Sequence, residues 1–200
     1  MLFPASLNGR SAAMPGSPVP STNLKKKVCC KMQVLISAEQ IKQRVEELGK
    51  IITAHYKDQP LTIVCLMNGA MPFAADLMRA VDLPLWYDSF AVSSYVNTRS
   101  TGELKVRSAL KLPVKDRHIL LVDDVLDTGF TLKCIIRDFT NMGTASIKSC
   151  VLLNKNVGDK LFVDPDWVGF EIADEFVVGY GLDYNEEYRN LPYIGVLNKD

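Results

Sequence analysis

Val122-Asp123-Asp124-Val125-Leu126-Asp127-Thr128-Gly129-Phe130-Thr131 joins two kinds of sequence. Before it, His118-Ile119-Leu120-Leu121-Val122 is a short, almost wholly apolar run, the pattern of a buried strand that ends in Asp123-Asp124. After it, Leu132, Ile135, Ile136 and Phe139 recur at helical spacing, and Gly143 stands where a helix end favours glycine. In open α/β sheets, ligands bind beyond the carboxyl ends of the strands, which is where this segment falls. Asp123 and Asp124 leave the strand as adjacent carboxylates. Thr128, Gly129 and Thr131 lie where N–H groups at a helix start can hold a phosphate, and glycine lets the backbone come close to it. Asp127 sits between these two sets, suited to act on a reacting group. A plain helix cap needs one such residue and does not account for three aspartates and two threonines around one glycine. The G-x-x-x-x-G-K-[ST] pattern of a P-loop is absent.

The same alternation continues outward. Ser37-Ala38-Glu39-Gln40 has the S-x-x-Q form of a capping box, and Ile41, Val45, Leu48, Ile51 and Ile52 then predict a helix over 37–56. Residues 61–67 form a continuous apolar run, read as a buried strand; Asn68-Gly69-Ala70 turns, and 71–80 reads as a helix. Strand candidates follow at 85–92, 104–110 and 147–153, with a polar loop over 93–102. Strands alternating with helices predict an α/β fold built on a mainly parallel central sheet flanked by helices.

The chain has 200 residues, 48% of them hydrophobic, enough for one domain with a substantial core. Its 23 basic side chains balance its 23 acidic ones, so it lacks the basic excess of a nucleic-acid binder, and no apolar run reaches the length of a membrane span. Neither nucleic acid nor membrane is an expected partner. The five cysteines show no C-x-x-C spacing, and Cys65, Cys134 and Cys150 lie in apolar runs. Buried thiols and a cytoplasmic location are expected. Residues 1–31 mix proline with serine, alanine, glycine and asparagine and close on Lys25-Lys26-Lys27; they read as a disordered extension preceding a domain over 32–200.

The segment 122–131 resembles the phosphoribosyl-pyrophosphate (PRPP) signature of type I phosphoribosyltransferases. The stretch Phe176-Val177-Val178-Gly179-Tyr180-Gly181-Leu182-Asp183-Tyr184-Asn185-Glu186-Glu187-Tyr188-Arg189 resembles the purine-binding hood of the hypoxanthine(-guanine) phosphoribosyltransferases. Val168-Gly169-Phe170-Glu171-Ile172, Ser93-Ser94-Tyr95 and Leu152-Leu153-Asn154-Lys155 extend the likeness, which runs from about Gln33 to the C-terminus.

The resemblance implies a type I phosphoribosyltransferase fold with a small hood made of residues from about 156 to 200 and part of the N-terminal segment. It implies transfer of a phosphoribosyl group from PRPP to N9 of a 6-oxopurine, a pentosyltransferase reaction of purine salvage with Mg2+ as cofactor. Asp123 and Asp124 are then expected on the ribose hydroxyls, and Asp127 at purine N7 as general base. Relatives often carry Glu at the position of Asp123. Thr128, Gly129 and Thr131 are expected on the 5′-phosphate, and Asn68 and Gly69 in a pyrophosphate loop whose Met67–Asn68 peptide is cis in relatives; many of these have Lys in place of Asn68.

In the hood, the resemblance assigns Lys155 to purine O6, Phe176 to stacking and Val177 to backbone contact with the base. Asp183, beside the purine, is expected to ligate Mg2+ directly, with Asp123 and Asp124 acting through water or ribose, and Arg189 to bind pyrophosphate. Ser94 and Tyr95 belong to a loop expected to close over the site. Relatives imply a homodimer or homotetramer. Without the resemblance, Lys155 reads as a solvated lysine, Phe176 as core, Asp183 as a helix cap and Arg189 as half of a surface ion pair. A xanthine-accepting enzyme is the neighbouring alternative. An RNA-binding regulator on the same fold is a distant one, at odds with the neutral charge, with Asp127 and with the hood.

Overall fold

The computed structural model describes residues 32–93, 105–157 and 163–197. The expected N-terminal extension, Cys29, Cys30, Ser94, Tyr95 and most of the expected closing loop lie outside these residues. In chain order the elements are β1 (Met32–Ile36), α1 (Ala38–His55), β2 (Leu61–Met67), α2 (Met71–Ala80), β3 (Leu85–Ser93) and β4 (Lys105–Ser108). There follow β5 (His118–Leu126), α3 (Phe130–Asn141), β6 (Ser146–Asn156), β7 (Trp167–Ala173), β8 (Val177–Val178) and β9 (Ile194–Leu197).

The apolar runs form the middle of a six-stranded sheet of order β4-β3-β2-β5-β6-β7. β3, β2, β5, β6 and β7 are parallel, and β4 is an antiparallel edge. Side chains alternate along each strand, so one run serves two cores. On β2, Ile63 and Cys65 pack with Ile41, Leu48, Ile52 and Phe73 under α1 and α2, whereas Val64 and Leu66 pack with Leu132, Ile135 and Phe139 under α3. Covered on both faces, β2 and β5 have no polar face to show, which is why their sequences do not alternate. The described cysteines, Cys65, Cys134 and Cys150, are buried thiols.

The capping box closes as its sequence predicts: Gln40 N donates to Ser37 Oγ at 3.2 Å, and Ser37 N donates to Gln40 Oε1 at 2.9 Å. At the end of α3, Met142 caps and Gly143 follows at φ +82°. A second, antiparallel sheet of order β1-β9-β8 joins the two ends of the described chain, with Met32 opposite Leu197 and Val177 opposite Val196. β7 belongs to the large sheet.

Two expected boundaries are corrected. β5 does not end at Val122 but runs to Leu126, its backbone paired with β6 from His118 opposite Ser146 to Leu126 opposite Asn154. Asp123 and Asp124 are therefore strand residues, and only Asp127-Thr128-Gly129 lies between strand and helix. β6 likewise runs past Leu153 to Asn156 and carries Lys155 within the sheet. Ladder hydrogen bonds use backbone groups, so polar side chains at a sheet end do not stop them.

Candidate active site

The end of β5 and the start of α3 enclose a cavity of about 230 Å³ whose lining includes Met67, Asp123, Asp124, Asp127, Thr128, Gly129 and Thr131. Gly129 takes φ +79° to turn the chain into α3, and it caps the helix without a side-chain bond. A helix N-terminus presents backbone N–H groups that lack intrahelical acceptors, and it attracts anions. Phe130 N reaches Thr128 Oγ1 only at a long 3.4 Å. Asp127 and Thr128 are exposed at the mouth of the cavity, and Thr131 is half-buried.

The carboxylate pair is set deeper. Asp124 N donates to Asp123 Oδ1 at 3.0 Å and Val125 N to Asp124 Oδ1 at 2.9 Å, which orients both groups. Burial pushes the Asp123 pKa well above the usual carboxylate range, and the neighbouring Asp124 charge and hydrogen bond add to this. Burial also raises Asp124, against the opposing pull of its bonds to Asp123 and to backbone N–H groups and of the Arg189 charge. The two titrate as a pair, and the direction for both is upward.

The pyrophosphate-loop candidate lies against this pair. The Met67–Asn68 peptide is cis, as the resemblance implies. Asn68 is exposed and Gly69 is buried. A Cβ on Gly69 would stand 1.7 Å from Asp124 Oδ2, so only glycine lets the loop rest on that carboxylate. Gly181, at φ +104°, rests in turn on the loop: its Cβ would lie 2.0 Å from the Gly69 carbonyl oxygen. A direct line of contact thus runs from Asp124 through Gly69 to the 176–189 segment.

Around Gly181, non-glycine residues take unusual conformations: Tyr180, Asn185, Glu186 and Tyr188 all have φ between +49° and +75°. Such residues cost of order 1–3 kcal/mol each and persist where surrounding contacts enforce them. Here the contacts are visible. Arg189 Nη1 donates to Gly181 O at 2.8 Å, while Nη2 pairs with Asp183 at 2.8 Å and with Glu186 at 2.9 Å. Glu186 N donates to the other Asp183 oxygen at 2.9 Å. Tyr180 Oη donates to Asp76 Oδ2 at 2.5 Å, tying the segment to α2. Burial and that acceptor raise the Tyr180 pKa far out of the neutral range, so the phenol remains a donor.

Lys155, Phe176 and Val177 do not line the 230 Å³ cavity. Phe176 is 41% exposed, not core, with its ring edge-on to Tyr184 at 5.6 Å between centroids; Val177 is buried on β8. Lys155 Nζ lies 3.2 Å from Asp174 Oδ1. Arg189 meets the bland expectation of an ion pair, with Asp183 as its partner, whereas Asp183 caps no helix, since α3 is the last one among the described residues. Sequence reasoning missed Asp76, Tyr180 and Asp174. No local pattern marks Asp76 and Tyr180, which lie 104 residues apart; Asp174 could have been noticed from its place two residues before Phe176. Among the described residues, no group of three or more His, Cys, Asp or Glu side chains could hold a metal by itself, and no helix is long and apolar enough to cross a membrane.

The phosphoribosyl transferase domain family matches residues 35–185. A hypoxanthine-guanine phosphoribosyltransferase of Bacillus subtilis (strain 168) is 47% identical over 166 residues, which make up 82% of this chain and 92% of that one. One from Lactococcus lactis subsp. lactis (strain IL1403) is 43% identical over 169 residues, 84% of this chain and 92% of the other. The crystal structure of a hypoxanthine phosphoribosyltransferase from Staphylococcus aureus superposes with a TM-score of 0.80 at 40% identity, covering 83% of this chain and 91% of that one.

Proposed function

This chain belongs to the phosphoribosyl transferase domain family, and we propose on that premise that it transfers the 5-phosphoribosyl group of PRPP to N9 of hypoxanthine, and of guanine, in purine salvage. The observation that carries this reading is the pairing of a carboxylate-and-threonine cradle at the end of β5 with a separate segment that rests on it through Gly69 and Gly181. The hypoxanthine-guanine phosphoribosyltransferases at 43–47% identity support the choice of base.

In the reaction the bond from ribose C1′ to the pyrophosphate oxygen breaks, the bond from C1′ to N9 forms, and a purine N–H proton is lost. Asp127, exposed at the cavity mouth, accepts that proton at N7. Asp123 and Asp124 hold the ribose hydroxyls; their raised pKa values mean that the half-buried pair gains from neutralising partners. Thr128, Gly129 and Thr131 hold the 5′-phosphate with the first-turn amides of α3. Asn68 and Gly69 face the pyrophosphate through backbone, and Arg189 binds it by its guanidinium. Lys155 donates to O6, Phe176 stacks on the base, and Val177 bonds it through backbone. Ser94 and Tyr95 belong to the segment that excludes water.

The donor set fits Mg2+ arriving with the substrate. Asp123, Asp124 and Asp183 offer hard carboxylate oxygens, and substrate phosphates and water would complete the shell. Bound there, the ion would neutralise charge on the departing pyrophosphate. Asp183 would hold it directly, with Asp123 and Asp124 acting through water or ribose. Residues 32–200 form the transferase domain, the hood comprising the β1-β9-β8 sheet with the segment 176–193. The enzyme works as a homodimer or homotetramer in the cytoplasm.

The test is incubation with PRPP, Mg2+ and each of hypoxanthine, guanine, xanthine and adenine, with chromatography of the products. Monophosphates of hypoxanthine and guanine are expected. Product from xanthine at a matching rate would favour the xanthine-accepting alternative, and no product from any 6-oxopurine would overturn the reading.

A further inference from the structure

Lys155 is one residue from the end of β6, and its side chain is 17% exposed. Its apolar stem is largely covered, and its ammonium emerges into an exposed ion pair. Its ion-pair partner among the described residues is Asp174, with Nζ 3.2 Å from Oδ1. The pairing follows from the sheet. β6 and β7 are parallel with Lys155 opposite Ile172, so Asp174, two residues further along, emerges at the same end of the sheet. The preceding pair in the ladder, Asn154 with Glu171, is joined by its own hydrogen bond of 2.9 Å. Successive strand residues point to opposite faces, so that amide–carboxylate pair does not serve the Lys155 ammonium. Asp174 itself is 65% exposed, lies beyond the last residue of β7, and stands two residues before Phe176.

We propose that Asp174 is a positioning residue that selects for the 6-oxo group by holding the Lys155 ammonium at the base. This rests on the reading in which Lys155 meets O6 and Phe176 stacks on the purine. An ammonium has three N–H donors. One is directed to Asp174, and two remain for the base and for water. A 6-oxo oxygen accepts such a donor, whereas a 6-amino group presents hydrogens to it. A lysine stem is long and flexible, and without an anchor it gains freedom by turning toward solvent. The Asp174 carboxylate, itself in solvent contact, opposes that turn while adding no group that the base must displace. Asp174 thus touches neither base nor PRPP; it acts through Lys155.

The test is steady-state kinetics of the full chain with Asp174→Asn, Asp174→Glu, Lys155→Met and the double variant Asp174→Asn/Lys155→Met. Asp174→Asn is expected to raise KM for hypoxanthine about three- to fivefold, the upper range for an exposed ion pair. Its kcat and its KM for PRPP should stay within about twofold. Asp174→Glu should recover part of the loss, and Asp174→Asn should add nothing to Lys155→Met. A raised hypoxanthine KM in Lys155→Met together with an unchanged one in Asp174→Asn would overturn the role of Asp174 and leave that of Lys155 standing. Equal effects of Asp174→Asn with and without Lys155 would overturn it too. If Lys155→Met leaves hypoxanthine KM unchanged, the O6 assignment fails and the proposal falls with it, while the transfer activity still reports on the β5–α3 cradle.

Discussion

The cradle at the end of β5 and the 176–189 segment above it are built in opposite ways. The cradle is local: nine consecutive residues, from Asp123 to Thr131, turn from strand to helix through one glycine at φ +79°. Its ladder partners and the packing of α3 hold it in place. The upper segment has little regular structure, and its left-handed residues are held by side-chain bonds, those of Arg189 to Gly181, Asp183 and Glu186 within the segment and that of Tyr180 to Asp76 on α2. A site that must keep phosphate and ribose in fixed geometry gains from a stiff frame. The upper segment is assembled from individual side-chain bonds, and its stability then depends on each of them.

The sharpest way to break this division is at Asp127. Asp127→Asn should lower kcat by about 10²-fold or more, the usual worth of a general base, while PRPP affinity measured by calorimetry changes little. Equal loss in both would make Asp127 a binding residue. Next is the contact that joins the two regions. Gly181→Ala places a methyl group 2.0 Å from the Gly69 carbonyl in a conformation unfavourable to alanine. A destabilisation of about 1–3 kcal/mol is expected, read by denaturant unfolding, together with loss of activity. Unchanged stability would mean that the upper segment does not rest on the loop. Tyr180→Phe removes only the bond to Asp76 and should cost about 1–2 kcal/mol, with the effect falling on KM for the base before KM for PRPP. Ser37→Ala, at the α1 cap, should cost about 1 kcal/mol and leave KM for PRPP alone.

The carboxylate pair allows a check of sign. Asp123 and Asp124 bind protons more tightly folded than unfolded, because burial raises both pKa values. Their contribution to stability is therefore greatest at acid pH and falls as pH rises from about 4 through the raised native values. Asp123→Asn should raise Tm at neutral pH and flatten its dependence on pH, with transfer activity lost. A neutral-pH Tm that drops in Asp123→Asn would contradict the burial account.

These differences also explain what could be read in advance. The apolar runs at 61–67 and 118–122 announced buried strands, and the glycine of Asp-Thr-Gly announced the turn, because each signal is carried by neighbouring residues. The true length of β5 was hidden because Asp123 and Asp124 end the apolar run but not the backbone ladder. Tyr180, Glu186 and Tyr188 carry no mark of a left-handed conformation in their residue types, and the bonds that hold the segment, Tyr180 to Asp76 and Arg189 to Gly181 and Glu186, are set by the fold. The upper segment was found by family resemblance alone, and its pairing of Asp183 with Arg189 only by the fold.

The division of labour is tested most directly by measuring KM for PRPP and for hypoxanthine in Thr131→Ala and in Phe176→Ala. Thr131→Ala should raise KM for PRPP about tenfold and leave that for hypoxanthine within about twofold, and Phe176→Ala should do the reverse. If either substitution moves both constants together, the cradle and the upper segment do not divide substrate binding between them.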